Sequence, residues 1–108
     1  MFNQDFQVAD VVVRPSLNRV ERDGQRLHLR PKSMEVLALL ATRPGQVTTR
    51  DELLAAVWPG VSVAEEGLTQ CIAEIREALG DNARQPSYVE TVPKRGYRLI
   101  VRVEVIGN

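Results

Sequence analysis

The chain has one cysteine and one histidine, and these two scarcities remove most catalytic and metal-binding chemistry at the outset. Cys71 alone can close no internal disulfide and cannot build a cysteine zinc site, which suits a reducing compartment. His28 has no nucleophile beside it, and there is no glycine-rich phosphate loop and no ligand cluster at metal spacing. Neither an enzyme nor a resident metal or cofactor is therefore expected. Also missing is any apolar run near the roughly 18 residues that would span a bilayer. The first residues, Met1-Phe2-Asn3-Gln4-Asp5, lack the basic and then apolar order of a secretion signal, so a cytoplasmic location is expected. Finally, charge of one sign is not in excess. Fourteen Lys plus Arg balance fourteen Asp plus Glu, so any attraction to a polyanion has to come from a local patch.

What is present is an ordinary globular composition, 44% hydrophobic and 26% charged. A chain of 108 residues fits one domain that buries about 60 to 65% of its unfolded surface. Residues 6–29 are short, β-branched and interrupted by charges, and read as strands. Asp23-Gly24 signals a type I′ turn that sets Val20 opposite Leu27. Arg30-Pro31 opens a first helix over about 31–43, with Pro at the first helical position and Met34, Leu37, Ala38 and Ala41 on one face. After Pro44-Gly45, Thr49 and Glu52 form a capping box for a second helix over about 50–58. Ser62 and Glu65 suggest a second capping box for a third helix over about 63–79, whose Leu68, Ile72, Ile75 and Leu79 make a buried stripe. Gly80 stops it. A polar loop then leads to two strands, 88–92 and 97–105, around Pro93-Lys94-Arg95-Gly96, and the alternation along 97–105 reads as one half-buried strand.

A sheet, three helices and a hairpin with a basic tip make a winged helix-turn-helix layout. A helix fits the DNA major groove, the preceding helix crosses the backbone, and a basic hairpin tip can reach a neighbouring groove or phosphate. Residues 45–58, the stretch Leu68-Thr69-Gln70 through Ile75-Arg76-Glu77-Ala78-Leu79-Gly80-Asp81, and the run Thr91-Val92-Pro93-Lys94-Arg95-Gly96-Tyr97-Arg98-Leu99 together resemble the OmpR/PhoB-type DNA-binding domain, a C-terminal effector family. The likeness covers nearly the whole chain and is strongest to the one-component branch typified by CadC and ToxR, where this domain comes first. Met1 directly before the first strand agrees with that order and argues against a phosphoacceptor domain ahead of it.

The resemblance implies an α+β fold: a four-stranded antiparallel N-terminal sheet, a three-helix core and a C-terminal wing. It implies sequence-specific binding of double-stranded promoter DNA, with the third helix in the major groove and the wing near the minor groove. It further implies paired copies on DNA, contact with RNA polymerase through residues 59–62, and no small-molecule substrate. Any membrane tether would belong to a part outside this chain. By position, Thr69, Gln70, Ala73 and Glu74 match base-facing sites. Trp58, Gly67, Arg76, Thr91 and Tyr97 match phosphate-contacting sites, Lys94 and Arg95 match the wing tip, and Arg98 just beyond it is a further candidate for DNA contact, with pairing to Glu90 or Glu104 as the alternative.

The charges complicate that picture. The third helix carries Glu65, Glu66, Glu74 and Glu77 against Arg76 alone, whereas residues 84–102 carry Arg84, Lys94, Arg95, Arg98 and Arg102 against Glu90. Glu74 could accept from a cytosine amine and Gln70 pair with adenine. Arg76 could meet a phosphate or pair with Glu52 or Glu77, and Arg98 could pair with Glu90. Arg14, Arg19, Arg22 and Arg26 are matched by Asp5, Asp10, Glu21 and Asp23 and read as a solvated sheet face, with His28 also at the surface. The acidic helix keeps a second reading open, a winged-helix module that docks a protein partner with weak or no DNA binding.

Overall fold

A computed structural model describes residues 4–62 and 64–107. Four short antiparallel strands come first: β1 (Phe6–Val8), β2 (Val11–Arg14), β3 (Arg19–Arg22) and β4 (Gln25–His28), with a single 3-10 turn at Pro15–Leu17. Asp23 and Gly24 have φ of 52° and 76°, as a type I′ turn requires, and Val20 does pair with Leu27. Helix α1 (Pro31–Ala41) begins with Pro at its first turn and stops two residues before the expected 43, where the Thr42 hydroxyl donates to the Leu39 carbonyl. A two-residue strand β5 (Thr48–Thr49) leads into α2 (Arg50–Val57), and then come α3 (Glu65–Leu79), β6 (Val89–Val92), β7 (Gly96–Leu99) and β8 (Val103–Val105). No helix among the described residues is long and apolar enough to cross a membrane.

Two expectations about the sheets need correction. Residues 97–105 are not one strand, and the wing does not extend to 105. After Leu99 the chain leaves the hairpin, and β8 pairs antiparallel with β1, making the N-terminal sheet five-stranded in the order β4-β3-β2-β1-β8. The alternating pattern is real locally, with Tyr97 and Leu99 buried and Ile100 outward, but Val105, on the face the alternation would bury, is 52% exposed in β8. The second sheet is β5-β7-β6, so the wing hairpin is anchored to the start of α2 through β5.

The second capping box is also corrected. Ala64, not Ser62, is the N-cap of α3 and makes no side-chain cap, so the helix starts at Glu65, whose carboxylate turns to Arg50 at 3.5 Å instead. Val63 lies outside the described residues. The Thr49 box is complete: the Thr49 hydroxyl accepts from Glu52 N–H and the Glu52 carboxylate accepts from Thr49 N–H. That backbone hydrogen bond, with the Arg43 guanidinium at 2.9 Å, holds the Glu52 carboxyl down at about 2.

The core is one cluster. Phe6, Val8, Val11, Val13 and Val20 from the larger sheet meet Leu37 and Leu40 of α1 and the stripe Leu68, Ile72, Ile75 and Leu79 of α3. Each such side chain contributes on the order of 1.5–3 kcal/mol by burial. Cys71 joins them at 2% exposure, and burial pushes its thiol up. At the C-terminal end of α3, Gly80 adopts φ 74° and Asp81 N–H bonds back to Arg76 O at 2.8 Å, a helix stop that needs glycine. Asp81 then organises the loop to the wing, its carboxylate accepting from the backbone N–H of Asn82, Ser87, Tyr88 and Val89. This staple fixes where β6 starts relative to α3.

Candidate nucleic-acid interface

The stripe that buries one side of α3 leaves the other side in solvent. Thr69, Gln70 and Ala73 are exposed, together with Glu66 and Glu77, at the three- and four-residue spacing of one helix face. The helix that the resemblance assigns to bases thus presents its polar side outward. Thr69 spends its hydroxyl on Glu65 O, 3.1 Å away, while its methyl stays available.

The wing stands against one flank of that face. Arg76 reaches across from α3, its Nη2 donating to Val89 O and to Thr91 Oγ1, both at 2.9 Å. Neither Glu52 nor Glu77 is its partner, contrary to the structural pairing weighed from sequence, because β6 lies nearer. Arg98 is bound to Glu90 on the neighbouring strand. Tyr97 is buried to 5% exposure, and its hydroxyl accepts from Arg50 Nη1 at 2.9 Å while the guanidinium sits 5.8 Å above the ring.

At the hairpin tip Val92 O accepts from Arg95 N–H, Pro93 occupies the first corner and Lys94 has φ 65°. This combination suits a type II turn, whose third position ordinarily goes to glycine. A lysine there carries a strain of about 1 kcal/mol, a cost tolerated at functional positions. Lys94 and Arg95 line a cleft of about 550 Å³ with Thr49, Arg50, Asp51 and Glu65. Wing cations and the first turn of α3 therefore share one opening. Arg50 was missed in the sequence; it is brought there by β5 pairing with β7, a contact between segments almost fifty residues apart.

Two of the four carboxylates of α3 have a cationic partner, while Glu66 and Glu77 stay exposed. Glu65 faces Arg50, and Glu74 is bonded to Arg30, with Nε at 2.7 Å and the Arg30 backbone N–H at 3.1 Å. Burial acts most strongly on Glu74 and would raise its carboxyl, but the Arg30 backbone N–H and guanidinium counter it, and the carboxyl is held below the usual range. Trp58, half-buried at the end of α2, lays its ring beside Gly67, where an added Cβ would stand 3.5 Å from the indole. Among the described residues no group of three or more His, Cys, Asp or Glu is arranged to hold a metal.

A family model described as "Transcriptional regulatory protein, C terminal" matches residues 24–99, from the β3–β4 turn through the wing. The chain belongs to this family. The transcriptional activator CadC of Escherichia coli K12 is 42% identical over 98 residues, covering 90% of this chain and 19% of CadC. The cholera toxin transcriptional activator of Vibrio cholerae is 44% identical over 88 residues, covering 80% of this chain and 30% of that protein. The chain thus spans a fifth to under a third of the length of these curated relatives. Among solved structures, the DNA-binding domain of E. coli CadC superimposes with a TM-score of 0.82 at 36% identity, over 98% of this chain and 100% of that one. The Klebsiella pneumoniae RstA DNA-binding domain in complex with the RstA box does so at 0.74 and 28% identity, over 89% of this chain and 96% of that one. The winged-helix expectation of an α+β fold holds, with the five-stranded sheet as its amendment.

Proposed function

We propose that this domain binds double-stranded promoter DNA sequence-specifically as the reading head of a bacterial transcriptional regulator. In this reading α3 enters the major groove with Thr69, Gln70 and Ala73 toward base edges. Lys94, Arg95 and Arg50 meet phosphates or the adjacent minor groove, as Trp58, Gly67, Thr91 and Tyr97 do by family resemblance. Arg76 and Arg98 hold the wing through Thr91 and Glu90. The observation that carries it is the shared opening: Glu65, the first residue of α3, lines one cleft with the wing-tip cations Lys94 and Arg95, and the solvent-facing side of α3 follows from that turn.

The same reading extends to the rest of the regulator. Residues 59–62 form an exposed turn between α2 and α3, with Val61 54% exposed, and offer RNA polymerase a contact. One domain covers a half-site, so a second copy on DNA supplies avidity. The regulator works in the cytoplasm, tethered to the inner membrane if a segment outside this chain provides an anchor.

Salt-titrated binding to duplex DNA tests the proposal. Affinity falls with salt at a log-log slope of about −0.9 per neutralised phosphate. Lys94→Ala with Arg95→Ala weakens binding to all sequences and flattens the slope by about 1.8. Gln70→Ala costs about 1–3 kcal/mol at a single base position. A double variant that binds duplex as the wild type does, with the same slope, refutes the wing assignment; salt-independent binding to a protein partner alone supports the docking alternative.

A further inference from the structure

A helix lying in the major groove has a phosphate backbone on each wall, yet the wing supplies cations to only one of them. Arg76, which faces the wing, and Glu74 are two positions apart on α3, roughly 160° around the helix. Glu74 therefore lies on the opposite flank, with the exposed face of Thr69, Gln70 and Ala73 between the two. On that flank is a second cleft of about 340 Å³, lined among others by Arg30, Lys32, Trp58, Gly67 and Gln70. Its lining is mostly apolar, with the Lys32 ammonium donating to Val57 O at 2.7 Å, so the Arg30 guanidinium at its rim is the cation it presents. Arg30 is the N-cap residue of α1, and its side chain is 58% exposed. Glu74 takes the Arg30 Nε and backbone N–H, so the Nη1 and Nη2 ends carry the donors left for a ligand.

Resting on the DNA-binding reading above, we propose that Arg30 contacts a phosphate on the backbone opposite the wing, with Glu74 as its positioning residue and not a reader of bases. The glutamate on the recognition helix then serves binding indirectly. It fixes one edge of a guanidinium whose planar fork is otherwise free to rotate, so that less order is lost when a phosphate oxygen is taken by the other edge. Arg30 and the wing tip then grip the two walls of the groove, and α3 is centred between them.

The test uses a labelled duplex enriched by the wild-type chain from a random-sequence pool, and a scrambled duplex of equal length, with thermal unfolding of each variant alongside. Arg30→Ala lowers affinity for both duplexes by roughly three- to tenfold and flattens the salt slope by about 0.9, while Arg30→Lys keeps the slope. In a double-mutant cycle, Glu74→Ala weakens binding more with Arg30 present than with Arg30→Ala, by roughly threefold or more, which cancels the plain effect of removing a negative charge. Base preference at every position of the enriched duplex stays as in the wild type. Unchanged affinity and slope in Arg30→Ala, additive effects in the cycle, or preference lost at one C·G pair in Glu74→Ala overturns the inference. A wild-type chain with no salt-dependent affinity for either duplex overturns the DNA-binding reading itself, before any substitution is made.

Discussion

Gly96→Ala, at the buried start of β7, is expected to destabilise the domain. A Cβ at Gly96 would stand 2.1 Å from Thr48 O, 2.8 Å from Thr49 Cα and 3.0 Å from Thr48 C. All three are backbone atoms of β5, and Thr48 is fully buried, so no side chain can swing aside. The carbonyl has to retreat by more than about 1 Å to reach ordinary contact. That movement parts β5 from β7 and strains the bond from Arg50 N–H to Arg95 O. Overpacking of this kind costs about 1–3 kcal/mol, and one or two lost hydrogen bonds add about 0.5–1.5 kcal/mol each, together about 1.5–6 kcal/mol. At about 4–8 °C per kcal/mol for a domain near this size, Tm falls by at least about 6 °C. Thermal and urea unfolding followed by circular dichroism measure it, with Gly107→Ala as control, because nothing lies within 4 Å of that position. A variant whose Tm stays within about 4 °C of wild type refutes the reasoning that β5 pins the wing. The same displacement moves Arg50 away from Lys94 and Arg95, so at temperatures where the variant is still folded its duplex affinity drops as well.

Two further predictions follow from local geometry. Lys94→Gly relieves the positive φ at the wing tip and raises stability by up to about 1 kcal/mol while lowering DNA affinity; a loss of stability on urea titration would show that the tip is not strained. The Glu52 carboxyl, held at about 2 by Thr49 N–H and Arg43, sits below its unfolded value, so the stability it lends is complete above about pH 4.5 and disappears as pH falls toward 2. Glu52→Gln therefore lowers Tm at pH 7 and narrows its gap from wild type on acidification through that window; parallel Tm curves would show that Glu52 is not the linked group.

Features set by neighbours in the chain were legible without coordinates. The I′ turn at Asp23-Gly24 and its register, Pro31 at the start of α1, the Thr49 capping box and the buried stripe of α3 each depend on residues within about four positions of one another. The Ser62 box failed at this same range, since a matching pattern does not say which of several adjacent residues leaves the helical conformation first. The exposure of Thr69, Gln70 and Ala73 was also legible, being the complement of the stripe. The partners of charged side chains were not. Glu74, Arg76 and Arg98 each had several complementary groups in the sequence, and Coulomb attraction alone does not choose between them.

The amino-acid sequence by itself determined the N-terminal strand region, the three helices and the hairpin after them, the face of α3 that is buried and the basic character of the wing tip, because periodicity and capping are short-range. Only the tertiary structure decided that β8 leaves the wing to close the larger sheet, that β5 brings Arg50 to Lys94 and Arg95, and that Arg30 takes the Glu74 carboxylate. Those contacts join segments distant along the chain, and their selection rests on how the whole core packs, which no local pattern encodes.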